Sequence, residues 1–272
     1  MKYITALFFL PLLLGAQEYI KWQPAIKKMH QKGMQAHNSH SGRKAKQLQL
    51  KNINQSADLQ ISYILPTLAK KELSHKMGLI TIPRTGMDNY HALVVQQSYK
   101  KSVSSSIRYI YSHGKPSKTS PTKITQLQKS DFEITPSPLP REHDRYKSSE
   151  SYSFKLNFKG RGLSFSPVIL ETSNGSKQNF QSSSNGEFEI TLPNDFKDVK
   201  KGRRANKPVE FVLKALHLHE GTTYSTTFTM PYHVNPSDYW QLQSYGLLLL
   251  IIGLITGIYI FRNIHKKKKR RA

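Results

Sequence analysis

The sequence predicts a mainly β protein in which two exported β-sandwich domains are followed by one C-terminal transmembrane helix. Short segments of alternating apolar and polar residues, separated by turn signals, run through most of residues 57–236. An uncharged apolar run follows them, and the first residues have the layout of a secretory leader.

Residues 1–16, MKYITALFFLPLLLGA, set Lys2 before an apolar run from Ile4 to Leu14 and finish on the small residues Gly15 and Ala16. A basic start, an apolar stretch too short for a durable span and a small-residue cleavage site read as a signal peptide cut after Ala16. Residues 17–56 follow as a basic arm, with eight lysines and arginines against Glu18 alone and no apolar periodicity after Ile26. Such a composition predicts disorder. His30, His37 and His40 lie in this arm beside Met29 and Met34, a set that could capture a soft metal ion only at a large ordering cost.

A first β-domain is expected over residues 57–140. LQISYIL (59–65) and DFEIT (131–135) alternate, while HALVVQQSY (91–99) and SIRYIYS (106–112) are β-branched and aromatic. Turn chemistry at Arg84-Thr85-Gly86, His113-Gly114-Lys115-Pro116 and Ser137-Pro138 punctuates them. The charged stretch at residues 141–149, entered through Pro138 and Pro140, reads as a linker.

A second β-sandwich domain is expected over residues 150–236. SYSFKLNF (151–158) puts Tyr152, Phe154, Leu156 and Phe158 on one face, VILETS (168–173) runs into an Asn174-Gly175 turn, and GEFEITLP alternates Phe188, Ile190 and Leu192. VEFVLKALHLH (209–219) and TYSTTFTM (223–230) form a long hairpin joined at Glu220-Gly221. Strands of about eight residues with turns between them suit a sandwich of immunoglobulin or transthyretin type.

The transmembrane helix is placed at residues 244–261, with YGLLLLIIGLITGIYIF (245–261) uncharged and Tyr239 and Trp240 just before it as an interfacial belt. At about 1.5 Å per residue this run spans roughly 26 Å, and flanking Arg262 can reach the interface. The tail 262–272 carries Arg262, Lys266 to Lys269, Arg270 and Arg271, which resist translocation and predict a cytoplasmic C-terminus. No LPxTG-type sorting signal precedes the helix. A eukaryotic type I membrane protein would share this layout, with Asn54-Gln55-Ser56 and Asn174-Gly175-Ser176 as glycosylation sequons.

Composition narrows the chemistry. The chain has no cysteine, which removes thiolate catalysis, disulfide scaffolding and Cys-based zinc sites. Its net charge is +24; outside the cytoplasm such a surface meets anionic lipid, lipopolysaccharide or acidic polymers, and no nucleic-acid motif with interleaved aromatics occurs. There is neither a GxSxG elbow nor an HExxH helix, and Gly160-Arg161-Gly162 lacks the third glycine and helix of a phosphate cradle. His143, between Glu142 and Asp144, reads as a surface ion-pair cluster rather than a general base.

The stretch GRGLSFSPVILETSNGSKQNFQSSSNGEFEITLPND (160–195) resembles the repeated motif of carboxypeptidase-regulatory, transthyretin-like β-sandwiches, with Gly186 at the turn and Phe188 and Ile190 on the core face. More loosely, the exported part is similar to the DUF4198 family of periplasmic proteins, some of which accompany nickel or cobalt uptake. The first half lacks that family's early histidine beside an aromatic, so the resemblance implies a fold and not an activity.

His217 and His219 are the remaining candidates. Two apart in a strand, they share a face with Cβ atoms about 7 Å apart. A turn at Glu220-Gly221 is expected to set Thr223 or Tyr224 opposite His219 and Ser225 opposite His217, with His233 too distant to join them. Either the pair binds a divalent transition metal with donors from Glu220, His91, His113 or His143, or it is the solvent-facing set of a strand whose other face carries Leu216 and Leu218. The expected function is that of a non-catalytic binding or scaffolding protein, anchored in the bacterial inner membrane with its β-domains in the periplasm. Its partners would be the membrane and another envelope protein, and no nucleic acid. The alternative is a transition-metal-binding accessory to a metal transporter, with His217 and His219 as ligands.

Overall fold

The computed structural model describes residues 19–25, 46–141, 145–240 and 243–269. The expected leader, His30, His37, His40, His143 and the last three residues of the basic tail lie outside them. The chain divides into two compact units: one holds the residues up to Asp195 together with Pro208–His233, the other Phe196–Lys207 and everything from Val234 onward.

The first unit is built of strands. In chain order they are β1 (Lys21–Pro24), β2 (Lys46–Lys51), β3 (Asp58–Ile64), β4 (Lys70–Glu72), β5 (Leu79–Ile82), β6 (Met87–Tyr99), β7 (Ser102–Ser112) and β8 (Lys115–Pro116). A short helix, α1 (Pro121–Gln126), capped by the Ser120 side chain, precedes β9 (Phe132–Pro136). Then come β10 (Tyr146–Lys147), β11 (Ser151–Phe158), β12 (Arg161–Gly162), β13 (Pro167–Thr172), β14 (Lys177–Gln181), β15 (Glu187–Thr191), β16 (Val209–His219) and β17 (Thr222–His233). The fold is mainly β, as the alternation predicts.

A central sheet runs in the order β14-β13-β16-β17-β7-β6-β3-β4. Its neighbours are antiparallel except for β17 and β7, which pair in parallel from Thr223 opposite Ser102 to Phe228 opposite Ile107. Against one face packs a small sheet in which β11 lies between β9 on one side and β15 and β12 on the other. Phe211, Leu213 and Ala215 of β16 and Phe228, Met230 and Tyr232 of β17 face this layer and are fully buried. Phe154 meets Phe228 edge-on at 5.2 Å, and Tyr146 meets Phe211 at 5.0 Å. The opposite face of the central sheet buries Ile61, Tyr63, Leu93, Val95 and Ile110 against Ile20, just before β1, and Trp22, Leu48, Leu50 and Ile80 of the three-stranded sheet β1-β2-β5.

These pairings relate the expected segments to one another. Strands from 57–140 and from 150–236 are hydrogen-bonded together twice, β7 to β17 and β9 to β11. The expected linker contributes β10, which pairs with β17 and buries Tyr146. The expected arm contributes β1 and β2, with Trp22, Leu48 and Leu50 buried. Alternation is a local signal, whereas a parallel pair between residues some 120 apart is a non-local one that no window of sequence displays.

Polar groups pin the parallel seam. Ser105 Oγ lies 2.8 Å from Thr226 Oγ1 and 2.6 Å from the Phe132 carbonyl, Ser225 donates to Ser104 at 2.8 Å, and Thr227 Oγ1 lies 2.6 Å from Ser106 Oγ. Beyond these rungs Arg108 of β7 reaches across β17 to Glu210 of β16, donating from Nη1 to Oε2 at 2.7 Å and from Nη2 to Oε1 at 3.1 Å. Both side chains are largely buried, at 5% and 13% exposure. Near the other end of β17, Asp195 accepts hydrogen bonds from Thr172, Asn174 and the Tyr232 hydroxyl. Burial pushes its carboxyl up, but bonds from Thr172, Tyr232, Ser176 and Asn174 outweigh this and hold it below the ordinary carboxylate range.

The second unit holds a loop tied by Asn206, whose side chain binds both the N–H and the carbonyl of Lys200 at 2.8 and 2.6 Å. It also holds a short helix, α2 (Pro236–Tyr239), capped by Asn235, and the long helix α3 (Gln243–Lys269). The stretch Tyr245–Arg262 of α3 has a mean hydropathy of 2.0 and is long and apolar enough to cross a membrane.

Removing one partner of the Arg108–Glu210 pair strands a buried charge, whereas removing both does not. Urea unfolding is expected to show losses of about 3–5 kcal/mol for Arg108→Met or Glu210→Leu alone, and a smaller loss for the double variant than for the worse single one.

Candidate functional site

The β16–β17 hairpin closes through Glu220 and Gly221, at φ of 50° and 70°. Two successive positive φ values make the tight two-residue turn that matches strand twist, and glycine adopts the second without penalty. Such a loop pairs the residues immediately flanking it. His219 therefore lies opposite Thr222 and His217 opposite Tyr224, one register step from the expected Ser225.

The face is inverted as well. Phe211, Leu213 and Ala215 are fully buried, and the two-residue period carries that inner face on to His217 and His219. Leu218, on the other face, is 68% exposed. The histidines are thus the half-buried end of a core face rather than a solvent-facing set. Phe158, at the end of β11, packs edge-on against His217 at 4.6 Å, His219 at 5.0 Å and Tyr224 at 4.9 Å. The two imidazoles stack 6.0 Å apart with 21° between planes. Burial, and secondarily the charge of His219, push His217 below its ordinary value. His219 Nε2 lies 3.6 Å from Glu220 Oε1.

A transition-metal ion needs three or four donors. Among the described residues, no group of three or more His, Cys, Asp or Glu is placed to hold one. The other candidates are dispersed. His91 is fully buried, 2.8 Å from Thr85 Oγ1 and 3.1 Å from the Asn89 carbonyl, and stacks on Tyr63 at 5.1 Å. His113 is exposed with Nδ1 3.9 Å from Asp88, and His233 ends β17 at the far end from the hairpin turn.

Sequence reasoning missed a buried ion pair. Lys129 Nζ lies 3.3 Å from Glu133 Oε2, with the two side chains 0% and 4% exposed. The ammonium also donates to the Leu127 carbonyl at 2.5 Å, just beyond α1. Burial pushes Lys129 down and Glu133 up, each opposed by the other's charge. An i,i+4 spacing inside an extended stretch gives no sign of this, because the contact depends on the turn between α1 and β9. Glu133 Oε2 also accepts from the Lys129 backbone N–H at 3.1 Å, which ties the pair into the turn it closes.

No protein-family model and no curated protein sequence matches this chain. Its likenesses among solved structures are distant. A calcium-stabilised adhesin that helps an Antarctic bacterium reach out and bind ice is 11% identical at a TM-score of 0.26, over 70% of this chain and 43% of that one. A two-domain fibronectin type III segment of chicken tenascin is 10% identical at 0.23, over 70% and 95% respectively. Drosophila N-cadherin, in its first three extracellular domains, is 13% identical at 0.22, over 69% and 58%. At these scores the strand pairing of the chain itself carries the description of the fold.

Two measurements probe this site. Burial lowers the His91 imidazole, although hydrogen bonds with the Asn89 and Ile110 backbone work in the opposite sense. The stability this ring contributes is present above the unfolded value of about 6.5 and is lost as pH falls through the lower folded value. Urea unfolding between pH 7.5 and 5 should therefore show a slope that His91→Gln flattens. Calorimetric titration with Ni(II), Zn(II) or Cu(II) is expected to show no saturable binding that His217→Ala with His219→Ala abolishes.

Proposed function

We propose that this chain is a non-catalytic binding and scaffolding protein of the bacterial envelope, tethered by α3 in the inner membrane with its β-sandwich unit in the periplasm. The observation that carries this reading is the surface of α3. From Leu247 to Phe261 its large apolar side chains are exposed on every side of the helix, between 51% and 68%. A helix apolar all round needs either a protein core or lipid around it, and among the described residues none of the stretch Tyr245–Arg262 is buried. The run of lysines that follows favours a cytoplasmic C-terminus. The β-sandwich unit supplies a rigid, polar-seamed body, and among the described residues no group of three or more His, Cys, Asp or Glu is placed to hold a metal ion.

Because the chain has no cysteine, single engineered thiols report topology cleanly. On intact spheroplasts, a membrane-impermeant maleimide should label Lys177→Cys in exposed β14 directly and Lys267→Cys only after permeabilisation. The reverse pattern, or extraction of the protein by carbonate without detergent, would overturn the reading.

A further inference from the structure

Among the described residues, the β-sandwich unit exposes four large apolar side chains, and all four stand at one end of it: Met77 at 88%, Tyr99 at 38%, Phe165 at 66% and Leu218 at 68%. The strand registers establish this. Leu218 lies opposite Thr223, Thr223 beside Ser102, and Ser102 opposite Tyr99, so the tips of the β16–β17 and β6–β7 hairpins form one row. Phe165 stands two residues before β13, whose Val168 pairs with Ala215 at this same end. Met77 follows β4, which runs back alongside β3 toward Asp58, itself opposite Ser98 next to Tyr99. Each of the four stands in or beside a different connection between strands. Apolar residues scattered over a soluble surface are ordinary, but their confinement to one rim marks a contact surface.

The same rim is cationic. Lys51, Lys76, Lys100, Lys101, Lys159 and Arg161 are exposed there, against Asp58, Asp131 and Glu220. None of these six cations forms an ion pair among the described residues; Lys100 and Lys159 rest over the rings of Tyr99 and Phe158, at 5.2 and 5.3 Å. A cleft of about 670 Å³ opens beside Met77 over an apolar floor of Leu50, Ile53 and Leu59. Apolar tips interleaved with free ammonium groups complement one chemistry in particular, a layer of anionic head groups above acyl chains. β17 runs from this rim to His233, where the chain leaves the unit, so rim and exit are separated by roughly 36 Å at about 3.3 Å per residue.

We propose that this rim binds the surface of an anionic lipid layer, with Met77, Tyr99, Phe165 and Leu218 entering between head groups and the surrounding lysines and Arg161 meeting their phosphates. The inference names a partner for the tethered protein proposed above, and rests on that reading only for the compartment. The test uses the full chain in neutral phosphatidylcholine nanodiscs, with an environment-sensitive fluorophore on a single Ser164→Cys beside Phe165. Phosphatidylglycerol is then supplied either in added vesicles or in the disc itself. In at least one arm a blue shift and a several-fold rise in emission are expected with phosphatidylglycerol and not with phosphatidylcholine alone. Lys100→Glu with Lys101→Glu should weaken the response at least tenfold, as should 0.5 M salt, and Phe165→Ser with Leu218→Ser should remove the blue shift. Lys70→Glu with Lys71→Glu, on β4 at the other end, should leave it unchanged, and matching far-UV spectra verify that each variant folds. A chain that enters the discs yet responds in neither arm, or responds equally to the neutral lipid, overturns this inference alone. A chain that does not enter the discs overturns the tethered reading instead.

Discussion

The parallel pairing of β7 with β17 is the constraint on which the β-sandwich unit depends. It joins the sheet formed by the first half of the chain to the sheet formed by the second, with no direct connection between the two strands to enforce it. Apolar packing is non-directional and discriminates weakly against a two-residue slip, which keeps every side chain on its face. The hydroxyl contacts of Ser104, Ser105 and Ser106 with Ser225, Thr226 and Thr227 are directional, and any slip along the seam would separate each of these partners. The Arg108–Glu210 pair adds a bidentate contact spanning β17, satisfied in one register only. The seam therefore gives up some apolar burial in return for a single alignment.

Much of the architecture is legible from local pattern. SYSFKLNF and VEFVLKALHLH coincide with β11 and β16, and the expected strands at 59–65, 91–99 and 131–135 overlap β3, β6 and β9. What local pattern hides is pairing and phase. β1 and β2 carry lysines and glutamines on their exposed faces and bury only Trp22, Leu48 and Leu50, so their composition resembles that of a disordered arm. At His217 and His219 polarity alone points to the wrong face. The phase set by Phe211, Leu213 and Ala215 decides the face, because a strand cannot change face without a bulge. The hairpin register followed likewise from the loop length, once Glu220 and Gly221 both took positive φ.

That inversion changes what the histidines can do. On an exposed face, two imagined ligands would be free to turn toward an ion; on the core face, Phe158 fills the space between them and Tyr224. Burial, with the charge of His219 second, lowers His217, and the Phe158 ring packs across this end of the core face. The cluster is best understood as a plug: amphipathic rings suit a position where the dry interior meets water, since one edge can pack while a nitrogen stays solvated.

The plug in turn explains how the rim beyond it can be both apolar and stable. Hairpin tips that expose Leu218, Tyr99 and Phe165 would be prone to fray if the strands behind them were loosely packed. Here β11, β16 and β17 meet in packed rings, Phe158 against His217, His219 and Tyr224, and the chain has no disulfide to hold them otherwise. Rigidity matters for a contact surface because a preorganised tip loses little entropy when it inserts, whereas a flexible one would spend part of its apolar burial on being ordered. The interior aromatic closure and the exterior cationic rim are in that sense one device, with packing on the inside fixing the geometry presented outside.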